Sequence, residues 1–285
     1  MLAVRKSIVK WQINWIDTST LCRRSYDGRK LLKLAAVIPA RLASSRFPGK
    51  VLYDFCGLPM VEHGRIRAEL SKVFNAGVYV ATCDKEVFDL VKNNGGKPIM
   101  TSANHINGTS RVAEAVKNID CSHVLVLQAD EPLLLPTHLK DFIKQIQRNS
   151  QFHVWNAISD IQDSHDLRNK TIVKCAINQS NRRLFCFRGS PFVSVFNLQS
   201  KYVKKMLVLI EFRKNTIQEI NQTPADTIEI NENIEQMRII SSNYAMGAIN
   251  LGESLPSVNL ISDSELVLHE MTSNKEQIEI LKVYC

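Results

Sequence analysis

The sequence predicts an α/β protein. From residue 34 onward, strand-like and helix-like segments alternate. The first, Leu34–Ile38, is a continuous apolar run with the length and β-branched character of a buried strand. No internal repeat or low-complexity linker interrupts the chain, so residues 34–285 read as one domain. After Leu34–Ile38, strands are expected at Val78–Thr82 and His123–Gln128, with helices at Met60–Val73, Lys85–Asn93 and Thr109–Asn118. Thr109 is the expected N-cap of the last of these. Gly95-Gly96 marks a turn before a short strand at Lys97–Met100. Pro136–Gln147 reads as a helix opened by proline, whose missing N–H costs nothing there. The second half offers strands at Lys170–Asn178, Leu184–Arg188 and Tyr202–Phe212, then helices near Ile228–Ser241 and Asp263–Leu281.

Composition narrows the function classes. No apolar stretch approaches the roughly 20 residues that span a bilayer, and 45% hydrophobic content is ordinary for a globular chain. The seven cysteines are odd in number, scattered and never spaced as CxxC, which argues for reduced thiols in a cytosol-like compartment rather than a disulfide framework or a zinc site. Without a secretory signal, the sequons at Asn107 and Asn169 carry no meaning. The net charge of +8 is uneven: residues 1–34 hold eight Lys or Arg against Asp17 and Asp27, leaving only about +2 on the rest. A nucleic-acid-binding fold would spread basic residues over one face of the domain, so nucleic acid is not the expected partner. Residues 1–33 read as a basic extension, as a targeting peptide, or as translation from an upstream start codon.

The most informative segment runs from Ala36 to Leu52, AVIPARLASSRFPGKVL. The strand breaks at Pro39 into a small, Ser-rich loop holding Arg41, Arg46 and Lys50, with a Pro48-Gly49 turn before the lysine. Three cations fixed after a strand suit a polyphosphate, whose oxygens need charged donors converging from several directions. It is not a Walker loop, since no glycine lies five residues before Gly49 and no Ser or Thr follows Lys50.

Every fixed position of I-P-A-R-x-x-S-x-R-x-P-G-K-x-L is filled between Ile38 and Leu52, and the chain thereby resembles the sugar-nucleotidyltransferases that activate acidic sugars with CTP, closest to the 3-deoxy-manno-octulosonate (Kdo) cytidylyltransferases. The resemblance implies a three-layer α/β/α nucleotidyltransferase fold with a mixed, mostly parallel sheet. Further segments carry it. Val80-Ala81-Thr82-Cys83-Asp84 matches V-A-T-D-D except at Cys83; by its position after a strand, Asp84 is expected to cap the next helix. Thr101 to Glu114 matches T-x-x-x-H-x-S-G-T-D/E-R-x-A-E, with Asn107 and Ser110 as departures. Leu127-Gln128-Ala129-Asp130-Glu131-Pro132 matches Q-G-D-E/Q-P.

The resemblance assigns Ala40, Arg41, Ser44, Arg46, Lys50, Thr101, His105, Gly108, Thr109, Arg111 and Gln128 to CTP. Arg41, Lys50 and Asp130 are the expected catalytic residues. Asp130 and Asn259 are the expected ligands of Mg²⁺, which would neutralise the phosphates during attack on the α-phosphate. Gly108 should let backbone approach the base closely.

The second half matches less well, and residues 151–245 are expected to bind sugar or build a dimer interface. Phe187-Arg188-Gly189-Ser190 aligns with F-S-R-A-T/R, placing Arg188 to pair with a sugar carboxylate. Ile228 to Arg238 matches L-E-x-x-E-x-x-E-Q-L-R, so Glu229 and Glu232, three apart on one helical face, are candidate partners of sugar hydroxyls; a solvated helix face is the competing reading. Two departures stand out. The family strand H-L-G-I-Y-x-Y/F-R appears as Met206 to Arg213 without its His and Gly, and the second metal-binding Asp appears as Asn259.

The activity implied is Mg²⁺-dependent transfer of CMP from CTP to a 2-keto-3-deoxy sugar acid, with Kdo the default. The product would serve a lipopolysaccharide-type polysaccharide. The expected protein is a cytoplasmic homodimer, or an organellar one if residues 1–33 are a targeting peptide. Two alternatives stay open: an enzyme for another acid sugar, such as an 8-amino-Kdo or a sialic-type acid, and a nucleotide-binding regulatory subunit without catalysis.

Overall fold

The computed structural model describes residues 32–44, 46–149, 151–190, 195–252 and 254–284. The basic extension lies outside these residues apart from Leu32 and Lys33. In chain order the elements begin with β1 (Leu34–Ala40), the hairpin β2 (Asp54–Phe55) and β3 (Leu58–Pro59), α1 (Met60–Ser71), β4 (Gly77–Thr82), α2 (Lys85–Asn93) and β5 (Pro98–Met100). Next come α3 (Gly108–Ala115), β6 (His123–Leu127), α4 (Pro136–Arg148), β7 (Val154–Ser159), α5 (Ser164–Arg168), β8 (Lys174–Ile177) and β9 (Arg183–Phe187). The chain then runs through α6 (Phe196–Gln199), β10 (Val203–Arg213), α7 (Lys214–Gln222), α8 (Thr227–Glu232), α9 (Gln236–Ser241), β11 (Met246–Asn250), α10 (Asp263–Ser273) and α11 (Lys275–Tyr284).

The main sheet has the order β11-β7-β10-β6-β1-β4-β5, with β8 and β9 extending it from β10. β6, β1, β4 and β5 run parallel, as does the β7–β11 pair, while β10 is antiparallel to its neighbours. Alternate residues of each central strand enter different cores. Leu34, Ala36 and Ile38 pack with Leu125 and Leu127 against Val61 and Ala68 of α1, Val87 and Val91 of α2, and Leu139 to Ile146 of α4. Ala35 and Val37 pack with Val124 and Val126 against α3, α7 and α9 through Val112, Ile217, Ile220 and Ile239. This is the expected three-layer α/β/α arrangement. It accounts for the unbroken hydrophobicity of β1 and of β6 from Val124 onward, which are covered on both faces.

Several local expectations are corrected. Helix α3 is capped by Asn107, whose side chain accepts from the Ser110 amide, not by Thr109, which lies inside the helix. The expected helix at 228–241 breaks at Asn233, which adopts a left-handed conformation (φ 53°) between α8 and α9. The C-terminal helix divides at Asn274 into α10 and α11. Strands β7 and β11 and helix α7 were not expected.

Candidate active site

In an open α/β sheet, ligands settle outside the carboxyl ends of the strands, where the chain leaves one strand in one direction and its neighbour in the other. That point falls between β1 and β6. A cavity of about 230 Å³ opens there, lined by Ala40, Arg41, Ser44, Arg46, Lys50, Gly108, Arg111, Gln128 and Asp130, among others. Nine of the expected site residues, scattered over some 90 positions of sequence, thus converge on one cleft.

The loop after β1 is held by local bonds. The amides of Ser44 and Gly49 both donate to the Leu42 carbonyl at 2.9 Å, closing the loop on itself. Gly49 takes the left-handed conformation at φ 71°, where a side chain would be strained, and it starts a tight 3₁₀ turn at Lys50–Leu52. The Leu42 amide donates to Asp84 Oδ2 at 2.8 Å. Asp84 therefore anchors the loop; although it occupies the N-cap position of α2, its side chain makes no capping bond there, against expectation.

At the cleft floor Lys50 Nζ pairs with Asp130 Oδ2 at 2.6 Å and also donates to the Val258 carbonyl at 3.2 Å. The Val258 amide returns a bond to the Asp130 carbonyl at 3.0 Å, so the segment that carries Asn259 is tied to Asp130 through its backbone. Arg46 Nη2 donates to Asn259 Oδ1 at 3.2 Å. Asp263, which no sequence argument singled out, fixes this segment by accepting from the Asn259 and Leu260 amides at 2.8 Å. Residues more than 120 positions apart form one polar cluster.

On the other wall, a Cβ on Gly108 would stand 3.0 Å from Pro39 Cγ and 3.4 Å from Gln128 Nε2, so a side chain there would crowd the start of α3 against the ends of β1 and β6. Arg111 is buried and donates from Nη1 to Thr101 Oγ1 at 2.6 Å and to the Ser102 carbonyl at 3.2 Å. Thr101 accordingly orients Arg111 and does not itself line the cleft. His105 and Thr109 do not line it either. They face a separate cavity of about 190 Å³ with Glu235 and Arg238. His105 bonds the Glu114 carboxylate, which holds that carboxyl below its usual range. Burial raises the Glu235 carboxyl above its ordinary value, while a bond from Thr109 opposes the shift.

A third cavity, about 800 Å³, shares Arg46 and Gln128 with the cleft and runs along β10 from Lys205 to Ile210. Arg188 lines it as expected, but its guanidinium is engaged with backbone carbonyls: Glu232 at 2.9 Å, Asn233 at 3.2 Å, and Lys170 and Thr171 at 3.3 Å. Glu232 Oε2 accepts from the Arg188 amide at 3.3 Å. Glu229 lines none of these cavities. It is buried in a two-oxygen pair with Arg238, at 2.6 and 2.5 Å, that ties α8 to α9.

A second acidic group, Asp163, His165 and Asp166, brings ligand atoms within 4.8 Å of one another, but Asp163 and His165 are exposed and Asp163 caps α5. Among the described residues no helix is long and apolar enough to cross a membrane.

The family described as cytidylyltransferase matches residues 35–248, most of the described chain. The chain is 29% identical over 250 residues to the 3-deoxy-manno-octulosonate cytidylyltransferase of Geobacter sulfurreducens, covering 84% of this chain and 100% of that one. It is 30% identical to the enzyme of the same name from Escherichia coli (80% and 91% covered). It is 31% identical to the 8-amino-3,8-dideoxy-manno-octulosonate cytidylyltransferase of Shewanella loihica (81% and 96% covered). A solved CMP:2-keto-3-deoxy-manno-octonic acid synthetase in complex with CTP superposes with a TM-score of 0.78 at 29% identity, over 84% of this chain and 98% of that one. The fold, the cleft at the ends of β1 and β6, and these matches agree: the chain belongs to the cytidylyltransferase family, within its Kdo cytidylyltransferase (CMP-Kdo synthetase) group, and is a nucleotidyltransferase.

Proposed function

We propose that the protein transfers CMP from CTP to the anomeric hydroxyl of a 2-keto-3-deoxy sugar acid, Kdo being the foremost candidate, for a lipopolysaccharide-type polysaccharide. The observation that carries this reading is the Lys50–Asp130 pair at 2.6 Å in a cleft that shares Arg46 and Gln128 with a second, larger cavity. CTP would occupy the first space and the sugar acid the second. Relatives named for Kdo and for its 8-amino counterpart support the substrate class.

In this reading Arg41, Arg46 and Lys50 bind the triphosphate and stabilise the charge that accumulates on the leaving pyrophosphate. The anomeric oxygen attacks the α-phosphorus, the bond from phosphorus to the bridging oxygen of the β-phosphate breaks, and the hydroxyl proton leaves to solvent. Ala40, Ser44, Gly108, Arg111 and Gln128 frame the nucleotide, with Thr101 holding Arg111 in place.

The donor set at the cleft floor fits magnesium. Asp130 would offer a carboxylate and Asn259, the residue after the Val258 that bonds the Asp130 carbonyl, an amide oxygen; Mg²⁺ ordinarily takes one or two protein ligands and completes its shell with phosphate and water. When bound, the ion supplies charge neutralisation at the phosphates. Lys50 already pairs with Asp130, and on nucleotide binding its ammonium would turn to the phosphates.

A pyrophosphate-release assay with CTP, Mg²⁺ and a panel of acid sugars tests the proposal. Turnover with Kdo or a close relative is expected. CTP binding with no turnover on any acid sugar would overturn it in favour of a nucleotide-binding regulatory protein.

A further inference from the structure

We propose that Lys205, and not Arg188, reads the carboxylate of the acid sugar. The inference rests on the reading of the large cavity as the sugar site, and it follows from how the cavity's charged groups are already employed.

Arg188 directs its guanidinium to four backbone carbonyls, and this clip joins the loop before β8 to the break between α8 and α9. Four of its five N–H donors are thereby spent, so it could grip a carboxylate with two donors only by displacing one of those bonds. Arg46 belongs to the phosphate loop and donates to Asn259. Burial pushes the His138 imidazole down, which disfavours its charged form. Lys205 differs. Among the described residues its Nζ has one hydrogen-bond partner, the neutral Ser254 hydroxyl at 2.8 Å, leaving two of the three ammonium donors.

Position argues the same way. A 2-keto sugar acid carries its carboxylate on the anomeric carbon, one bond from the oxygen that attacks phosphorus. The cation that reads it must therefore stand at the nucleotide end of the cavity. β10 runs antiparallel to β6 with Leu209 opposite Leu127, so Lys205 lies past the carboxyl end of β6, and it shares the cavity lining with Gln128 and Glu131, which follow that strand. The backbone supports the placement. β10 pairs in register with β7 at Lys205 and Met206, slips, and resumes at Ile210. The Asn156 amide fills the gap by donating to the Leu207 and Leu209 carbonyls at 2.7 and 2.8 Å. Such irregularities re-aim side chains beside active sites, and here every residue from Lys205 to Ile210 lines the cavity.

The test compares an acid sugar with its uncharged carboxamide in the wild-type protein and in Lys205→Met, which keeps the length of the stem. A charge-assisted bond predicts that the wild type favours Kdo over Kdo amide by about 10- to 100-fold in kcat/KM. Lys205→Met should lose most of that preference through KM, with CTP affinity and unfolding midpoint near wild type. A wild type indifferent to the amide overturns the assignment without any variant. So does a Lys205→Met that discriminates as sharply as the wild type. A wild type that turns over no acid sugar at all defeats the proposed function itself, a result distinct from either of these.

Discussion

Lys50 owes its aim to two neighbours: Gly49, left-handed at φ 71°, and Asp84, which ties the loop at Leu42. The glycine was legible in the sequence because a Pro-Gly turn is a local signal. The role of Asp84 was not, since a bond spanning 42 residues leaves no trace in local spacing. The same limit explains Arg188, whose residue type promised a carboxylate partner while the fold surrounds it with carbonyls. Two predictions belong to this scale. Asp130→Asn keeps the side-chain shape and removes the charge opposite Lys50, so turnover should fall on the order of 100-fold or more. The accompanying change in urea stability should stay within about 1 kcal/mol, because the pair is partly solvated. Turnover within a few-fold of wild type would remove Asp130 from the reaction. Asn259→Asp adds a second carboxylate at the proposed metal site while keeping an oxygen for Arg46. The Mg²⁺ concentration for half-maximal activity should drop about three- to tenfold; an unchanged titration would show that position 259 does not meet the ion.

Elements were legible where one signal dominated. β1 is apolar throughout and β6 from Val124 onward because helices cover both their faces, and the pattern of α2 alone places it. β7 was missed because Asn156 interrupts its hydrophobic run, yet that asparagine is fully buried and bonded to β10. The region 228–241 carries an unbroken helical pattern, and the pattern is obeyed on both sides of a break it does not mark. What holds the two pieces is the pair between Glu229 on α8 and Arg238 on α9, both largely buried. Arg238 also donates to the Thr223 carbonyl at 3.0 Å, binding the end of α7 to the same point. Removing one partner strands the other, so Arg238→Met should destabilise the protein by about 3 kcal/mol in urea unfolding. It should also loosen the Arg188 clip, whose acceptors include Glu232 and Asn233 in the break. A loss below about 1 kcal/mol would mean the pair is not what fixes the two helices.

At the scale of the molecule, two helical layers press on one sheet, and strand β10 crosses it between β6 and β7, carrying both a cavity wall and part of the core. Its cavity end is polar at Lys205, whereas its core end holds a charge type that the core does not serve. Glu211 lies opposite Leu125 of β6 and Trp155 of β7 and is fully buried. Neither carboxylate oxygen has a hydrogen-bond partner among the described residues. Burial drives its carboxyl well above the ordinary value of 4.5, with Arg213 opposing only in part. The sign follows from proton counting. The unfolded chain releases this proton near its ordinary value and the folded chain keeps it to higher pH, so the folded state loses stability as pH rises above 4.5. His63 acts oppositely. Burial lowers its imidazole to about 4, so the stability it contributes is complete above its ordinary 6.5 and is lost as pH falls toward 4. Glu211→Leu removes the first effect and leaves the second in both proteins, so the difference between them isolates Glu211. The variant should be more stable than wild type by about 2 kcal/mol at pH 8, the cost of an unserved buried polar group, with a smaller gain at pH 5. Urea midpoints at the two pH values decide it: a gain that is equal at both, or a variant weaker at pH 8, would show that the fold serves this carboxylate after all.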